Sequence, residues 1–79
     1  MNINNAIYLS ALRGNNVVVV ARCFEHAENA FWSMRNHLDE QGLPYEARNY
    51  DKRVMLPNGC WIRFEKQCRD GFKGEVFYL

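Results

Sequence analysis

Little in this chain narrows its chemistry at first sight. Its 79 residues include two prolines and three cysteines, and neither charge sign is in excess. Ten Lys plus Arg stand against nine Asp plus Glu, for a net charge of +1. Each shortage excludes something. The cysteines, Cys23, Cys60 and Cys68, form an odd set without a CxxC pair. A small secreted domain normally carries an even, denser set, so the three read as free thiols of a reducing compartment. The balanced charge weakens any case for bulk attraction to nucleic acid or an anionic membrane. The longest purely apolar run, Val17 to Ala21, is far short of a bilayer span. The opening stretch MNINNAIYLSALRGNN has neither the basic start nor the long apolar run of a secretory signal. The expectation is a cytoplasmic protein with no membrane partner. There is no repeat, linker or charge block. With 48% hydrophobic and 24% charged residues, residues 1–79 read as one globular domain.

What is present gives an order of elements. Residues 3–13 predict a short helix with Asn4 or Asn5 as its cap and Gly14 as its stop. Ile3, Ile7 and Ala11 form its stripe, widened by Leu9 and Leu12. Asn15-Asn16 then turn the chain into Val17-Val18-Val19-Val20-Ala21. This β-branched run predicts a strand apolar on both sides, the kind covered on both faces in a parallel or mixed sheet. Residues 25–41 predict the main helix. Ala27, Ala30, Phe31, Met34 and Leu38 share one face of it, Glu25 and Glu28 lie in its first turn, and Gly42-Leu43-Pro44 end it. Residues 45–50 predict a strand. Arg53 to Leu56 and Cys60 to Lys66 predict a hairpin closed by Pro57-Asn58-Gly59, a three-residue loop with glycine in the left-handed position. That loop pairs Leu56 with Cys60 and Val54 with Ile62. It puts Val54, Leu56, Cys60, Ile62 and Phe64 on an apolar face and Arg53, Met55, Trp61, Arg63 and Glu65 on the other. After a polar loop over 67–74, residues 75–79 predict a last strand. The fold class is a small two-layer α/β sandwich, order α-β-α-β-β-β with a further β, with a mixed sheet and a C-terminal β-hairpin.

Four segments carry a resemblance. ALRGNNVVVVAR, HAENAFWSMRNHL, RVMLPNGCWIRF and DGFKGEVFYL are similar, in that order, to the stretch between the Walker A and Walker B motifs of RecA-type motor domains. Phage large terminases and superfamily 2 helicases are the families meant. The GxxxxGK[ST] loop would lie before residue 1 and the Walker B acids after Leu79, so the resemblance implies neither ATPase activity nor a catalytic residue here. It implies a phage or mobile-element setting, with the host cytoplasm as location if the protein is phage-encoded.

Several constellations compete to carry chemistry. Cys23-x-x-His26 has a spacing seen in zinc sites, with Cys60 or Cys68 to complete the set. The blander reading places Cys23 at the close of a buried strand, Cys60 as a small core residue and His26 in an exposed first turn. A cysteine hydrolase would pair a thiol with His26 or His37, and His37 beside Asp39 could serve as a base, but no glycine elbow or oxyanion loop accompanies them. The expectation is no enzyme, no cofactor and no metal site. For protein binding, Trp32 leaves the apolar stripe of the main helix beside Arg35, while Met55 and Trp61 stand on the outer sheet face. Tryptophan and arginine are the residues that most often dominate interfaces. For nucleic-acid binding, Arg53, Trp61 and Arg63, extended by Arg48 and Tyr50, combine cationic forks with an aromatic plate.

Together these features predict a small non-enzymatic binding protein. It would act on a protein partner through Trp32, Arg35, Met55 and Trp61, as an inhibitor or modulator of a host defence or DNA-processing complex. A homodimer through an exposed Trp face or a sheet edge is a further expectation. The alternatives are a nucleic-acid accessory protein using Arg48, Arg53, Trp61 and Arg63, and a truncated motor-domain relic without a function of its own.

Overall fold

The computed structural model describes residues 3–67 and 71–79. The elements are α1 (Ile3–Leu12), β1 (Val17–Val20), α2 (Phe24–Gln41), β2 (Glu46–Arg48), β3 (Arg53–Met55), β4 (Trp61–Glu65) and β5 (Glu75–Tyr78). The strands make one mixed sheet in the order β2-β3-β4-β1-β5. β1 runs parallel to both β4 and β5, while β2, β3 and β4 form an antiparallel meander. The small α/β domain expected from the sequence is therefore present, with the two strands bracketing β1 supplied by the C-terminal half.

The hairpin has the register that its alternation demands. Val54 faces Ile62 and Met55 faces Trp61. Gly59 takes a φ of 89°, and its N–H donates to the Leu56 carbonyl at 3.0 Å. A residue with a Cβ is disfavoured in that conformation. A two-residue loop would shift the pairing by one and turn the apolar set outward. The Asn58 side chain adds further bonds. Its Nδ2 donates to the Ala11 carbonyl at 2.9 Å, satisfying an end of α1, and its Oδ1 accepts from the Cys60 N–H at 2.9 Å.

Both helices pack on one face of the sheet. Ile7, Tyr8 and Ala11 of α1 and Ala27, Phe31, Met34 and Leu38 of α2 close over Val17, Val19, Val54, Ile62 and Phe64 in a single cluster. α2 ends as expected, with the Gly42 and Leu43 N–H groups returning to the Asp39 and Leu38 carbonyls. In α1 the buried face differs from the expected stripe. Ile3, Leu9 and Leu12 are exposed, and Tyr8 and Ser10 are buried in their place. Aliphatic residues lie on every side of α1, so its period selects no face, and docking on the sheet does. Asn4 and Asn5 lie inside the helix instead of capping it, and Asn4 Nδ2 donates to Ser33 Oγ on α2. The second correction concerns β1. Helices cover only one of its faces, although all four of its residues are valine. No helix among the described residues is long and apolar enough to cross a membrane.

Candidate interaction surface

The uncovered face of the sheet is built by register. Strand residues alternate between faces, so the neighbours of the core residues stand in rows across the open side. The first row is Glu46, Met55 and Trp61. The second runs Arg48, Arg53, Arg63, Val18 and Val76. The third is Glu65, Val20 and Tyr78. The face thus has two halves. Over β1 and β5 it is aliphatic and aromatic. Over β2 to β4, three arginines line up on adjacent strands around a tryptophan. Directly opposed like charges destabilise a sheet by roughly 0.2–1 kcal/mol per pair, so folding by itself does not favour this row.

Aromatic stacking and carboxylates hold the row together. The Arg53 and Arg63 guanidinium carbons lie 5.3 and 5.8 Å from the Trp61 ring centroid. Asp51 stands 4.0 Å from both Arg48 and Arg53, and Glu65 pairs with Arg63. The two pairs of Asp51, at the 4.0 Å limit, contribute little, about 0–1 kcal/mol each. The buried Nε atoms of Arg53 and Arg63 have no hydrogen-bond partner, and neither does that of Arg35. All three belong to arginines stacked on tryptophan. Packing against an indole places the guanidinium without using its donors.

Trp61 itself is placed by groups the sequence did not mark. Its backbone N–H donates to Asn16 Oδ1 at 3.2 Å. The Phe72 ring tilts against it at 5.9 Å. Phe72 owes its position to Gly74, where a Cβ would overlap both the Phe72 ring and the Asn16 carbonyl oxygen. No local pattern in the loop announces this, because the contact joins three separate segments.

The four residues expected at partner contacts lie on the two surfaces to which helix periodicity and strand alternation assign them. Met55 and Trp61 are half-buried on the open sheet face. Trp32, 41% exposed, and Arg35 lie on α2. There Arg35 stacks on Trp32 at 4.4 Å, and its Nη1 donates to Asn49 Oδ1 at 2.7 Å, tying α2 to the turn after β2. Tyr50 stands at the tip of that turn, 96% exposed, instead of continuing the sheet face. By contrast, Arg48, Arg53, Trp61 and Arg63 do come together.

The thiol and imidazole candidates are dispersed. Cys23 is exposed at the start of α2 instead of closing the buried strand, because β1 ends at Val20. Cys60 is half-buried in the hairpin instead of sealed in the core. His26 is exposed on the first turn of α2, and Cys68 lies outside the described residues. Among the described residues, no three His, Cys, Asp or Glu side chains gather as metal ligands would. No family model, curated protein or solved structure matches the chain.

Proposed function

We propose that this is a non-enzymatic protein-binding domain that takes a partner's amphipathic helix on the open face of its sheet. The observation that carries the reading is β1 with its two parallel neighbours, covered by helices on one side only. Parallel strands that are apolar on both sides are covered on both faces. Val20, Val76 and Tyr78 are the apolar residues that such a cover would meet, with Val18 buried between them. Beside them, Met55, Trp61 and the arginine row supply the residue types that anchor interfaces. The partner fitting this face has an apolar stripe for the valines and Trp61 and carboxylates for Arg53 and Arg63. Occupying a partner's surface in this way is how a small inhibitor or modulator acts. The motor-domain resemblance adds a phage or mobile-element setting and a DNA-processing or defence complex as the target.

The arginine row also supports a second reading, a nucleic-acid ligand stacked on Trp61. Against it, Glu46, Asp51 and Glu65 stand among Arg48, Arg53 and Arg63, three carboxylates against three guanidiniums. Polyanion binding draws on an excess of positive charge, which this face does not have.

The test is affinity capture on the immobilised chain, with Trp61→Ala and Trp32→Ala run beside it. The expected result is a protein retained after nuclease treatment and at raised salt, lost with Trp61→Ala and kept with Trp32→Ala. Capture that ignores Trp61→Ala removes the sheet-face reading. Capture that vanishes with nuclease or falls steeply with salt replaces it by the nucleic-acid one.

A further inference from the structure

The two edges of the sheet are built differently. β2 forms one edge, and it is blunt. It has three residues, two of them charged, and Pro44 stands two residues before it. Short strands, charge and proline are the devices that keep an edge from pairing. β5 forms the other edge and is less guarded, with one charge, Glu75, at its start. Its sequence, Glu-Val-Phe-Tyr, contains neither lysine nor proline, and it pairs with β1 residue for residue without a bulge.

The hydrogen bonds show which groups of β5 are open. The Glu75 N–H donates to Asn16 O at 3.0 Å, and the Leu79 N–H to Val20 O at 2.9 Å. In a strand, the N–H and C=O of one residue point the same way and alternate along the chain. Glu75, Phe77 and Leu79 therefore face β1, and the backbone groups of Val76 and Tyr78 point out from the edge.

Apolar side chains flank those groups on both sides, among polar ones on the helix side. On the helix side a groove of about 500 Å³ runs between α1 and β5, lined by Ala6, Leu9, Arg13, Glu75 and Phe77. Leu9 is exposed beside it. On the open side Tyr78 is 72% exposed.

We propose that β5 is a dimerisation edge, pairing antiparallel with β5 of a second copy of this chain about a twofold axis at Phe77. Two features select a second copy as the occupant. First, a twofold axis perpendicular to the sheet makes the paired strands antiparallel and keeps both pairs of helices on one side. Second, the register centred on Phe77 suits the side chains. Val76 and Tyr78 of one copy form hydrogen-bonded pairs with Tyr78 and Val76 of the other, giving four backbone bonds. Phe77 meets Phe77 at the closer, non-hydrogen-bonded position, where aromatic pairs contribute most. The only charge on the strand, Glu75, lies opposite Leu79 instead of its own copy, and its carboxylate is already engaged by the Ser10 hydroxyl. The product is a ten-stranded sheet whose two outer edges are both the blunt β2. This inference is independent of the sheet-face reading.

The test is sedimentation equilibrium of the chain over a concentration series, with Val76→Pro beside it. Proline at position 76 removes an outward N–H and leaves the bonds to β1 in place, a position where an edge strand tolerates it. The wild-type chain is expected to approach twice its monomer mass and Val76→Pro to remain at the monomer mass. Should the proline variant misfold, hydrogen exchange of the wild type decides instead. The Val76 and Tyr78 amides should exchange fast in dilute solution and slow markedly as concentration rises. A chain that stays monomeric throughout overturns the proposal. So does a dimer that survives Val76→Pro, or one in which those two amides exchange equally at all concentrations.

Discussion

Alternate residues of the same strands meet opposite surroundings in this molecule. On the helix side, Val17, Val19, Val54, Ile62 and Phe64 are sealed beneath α1 and α2. On the open side, their immediate neighbours Met55, Trp61 and Arg63 are half-buried with no helix above them among the described residues, the Phe72 ring lies against Trp61, and Val18 is buried. Folding accounts for the first set completely. Those residues are apolar, consecutive in the alternation, and matched by the stripe of α2. It accounts poorly for the second. A sheet needs one buried face to fix its register, and nothing in that requirement calls for three aligned arginines or for valines facing outward from a central strand. The contrast separates residues that the fold needs from residues that need another explanation. That is why the sheet face, and not the more exposed Trp32, carries the functional reading.

The strongest challenge to this contrast is a change on the sealed side. Phe31 is 1% exposed and meets Phe64 edge-to-face with centroids 6.0 Å apart. Phe31→Ala leaves a cavity between α2 and the sheet and should cost about 3–5 kcal/mol. Small domains have only about 5–15 kcal/mol in all, so a large drop in the denaturation midpoint is expected. A loss below about 1 kcal/mol would mean that α2 is not seated as described, and the distinction between faces would go with it.

Gly74→Ala has a smaller effect and acts on the open side. The new methyl group has no room beside the Phe72 ring and the Asn16 carbonyl. Phe72 must swing away and the backbone joining Asn16 to Glu75 must shift as well, at an overpacking cost of about 3 kcal/mol. In a Trp32→Phe background Trp61 is the remaining tryptophan of the two, and its emission should shift to the red as Phe72 leaves. An unshifted spectrum would show that Trp61 is not held by this loop.

How far each face was legible from the sequence follows from where its information resides. The hairpin register is local. Pro57-Asn58-Gly59 fixes the turn, and only one pairing keeps Val54, Ile62 and Phe64 together, so the two faces of β3 and β4 could be assigned from alternation. The stripe of α2 is equally local. In α1, by contrast, Ile3, Leu9 and Leu12 compete with Ile7 and Ala11, and only docking decides which face is buried. The strand after residue 44 is legible as a strand but not in its register. The alignment of Arg48 with Arg53 and Arg63 therefore emerges only once β2 pairs with β3. Trp32, off the apolar stripe of α2, and Trp61, on the outer face of β4, could be assigned to separate surfaces from the same local periods. Val17 to Val20 announced cover on both faces, and the mismatch between that pattern and the one-sided helical layer is what directs attention to the open face.

Arg53→Met gives the smallest expected effect and the sharpest test of the contrast. Arg53 is the middle member of the row, with Arg63 opposite it on one strand and Arg48 on the other. Removing its charge relieves two like-charge oppositions worth roughly 0.2–1 kcal/mol each. It also removes a 4.0 Å pair with Asp51 of similar small value. The methionine chain keeps most of the packing against Trp61, and the buried, unpartnered Nε disappears. These terms nearly cancel, so urea denaturation should place the variant within about 0.5 kcal/mol of wild type. Partner capture, however, should weaken, because the guanidinium offered to a carboxylate is gone. If Arg53→Met instead lowers stability by more than about 2 kcal/mol, the arginine row serves the fold, and the open face loses its claim to a separate purpose.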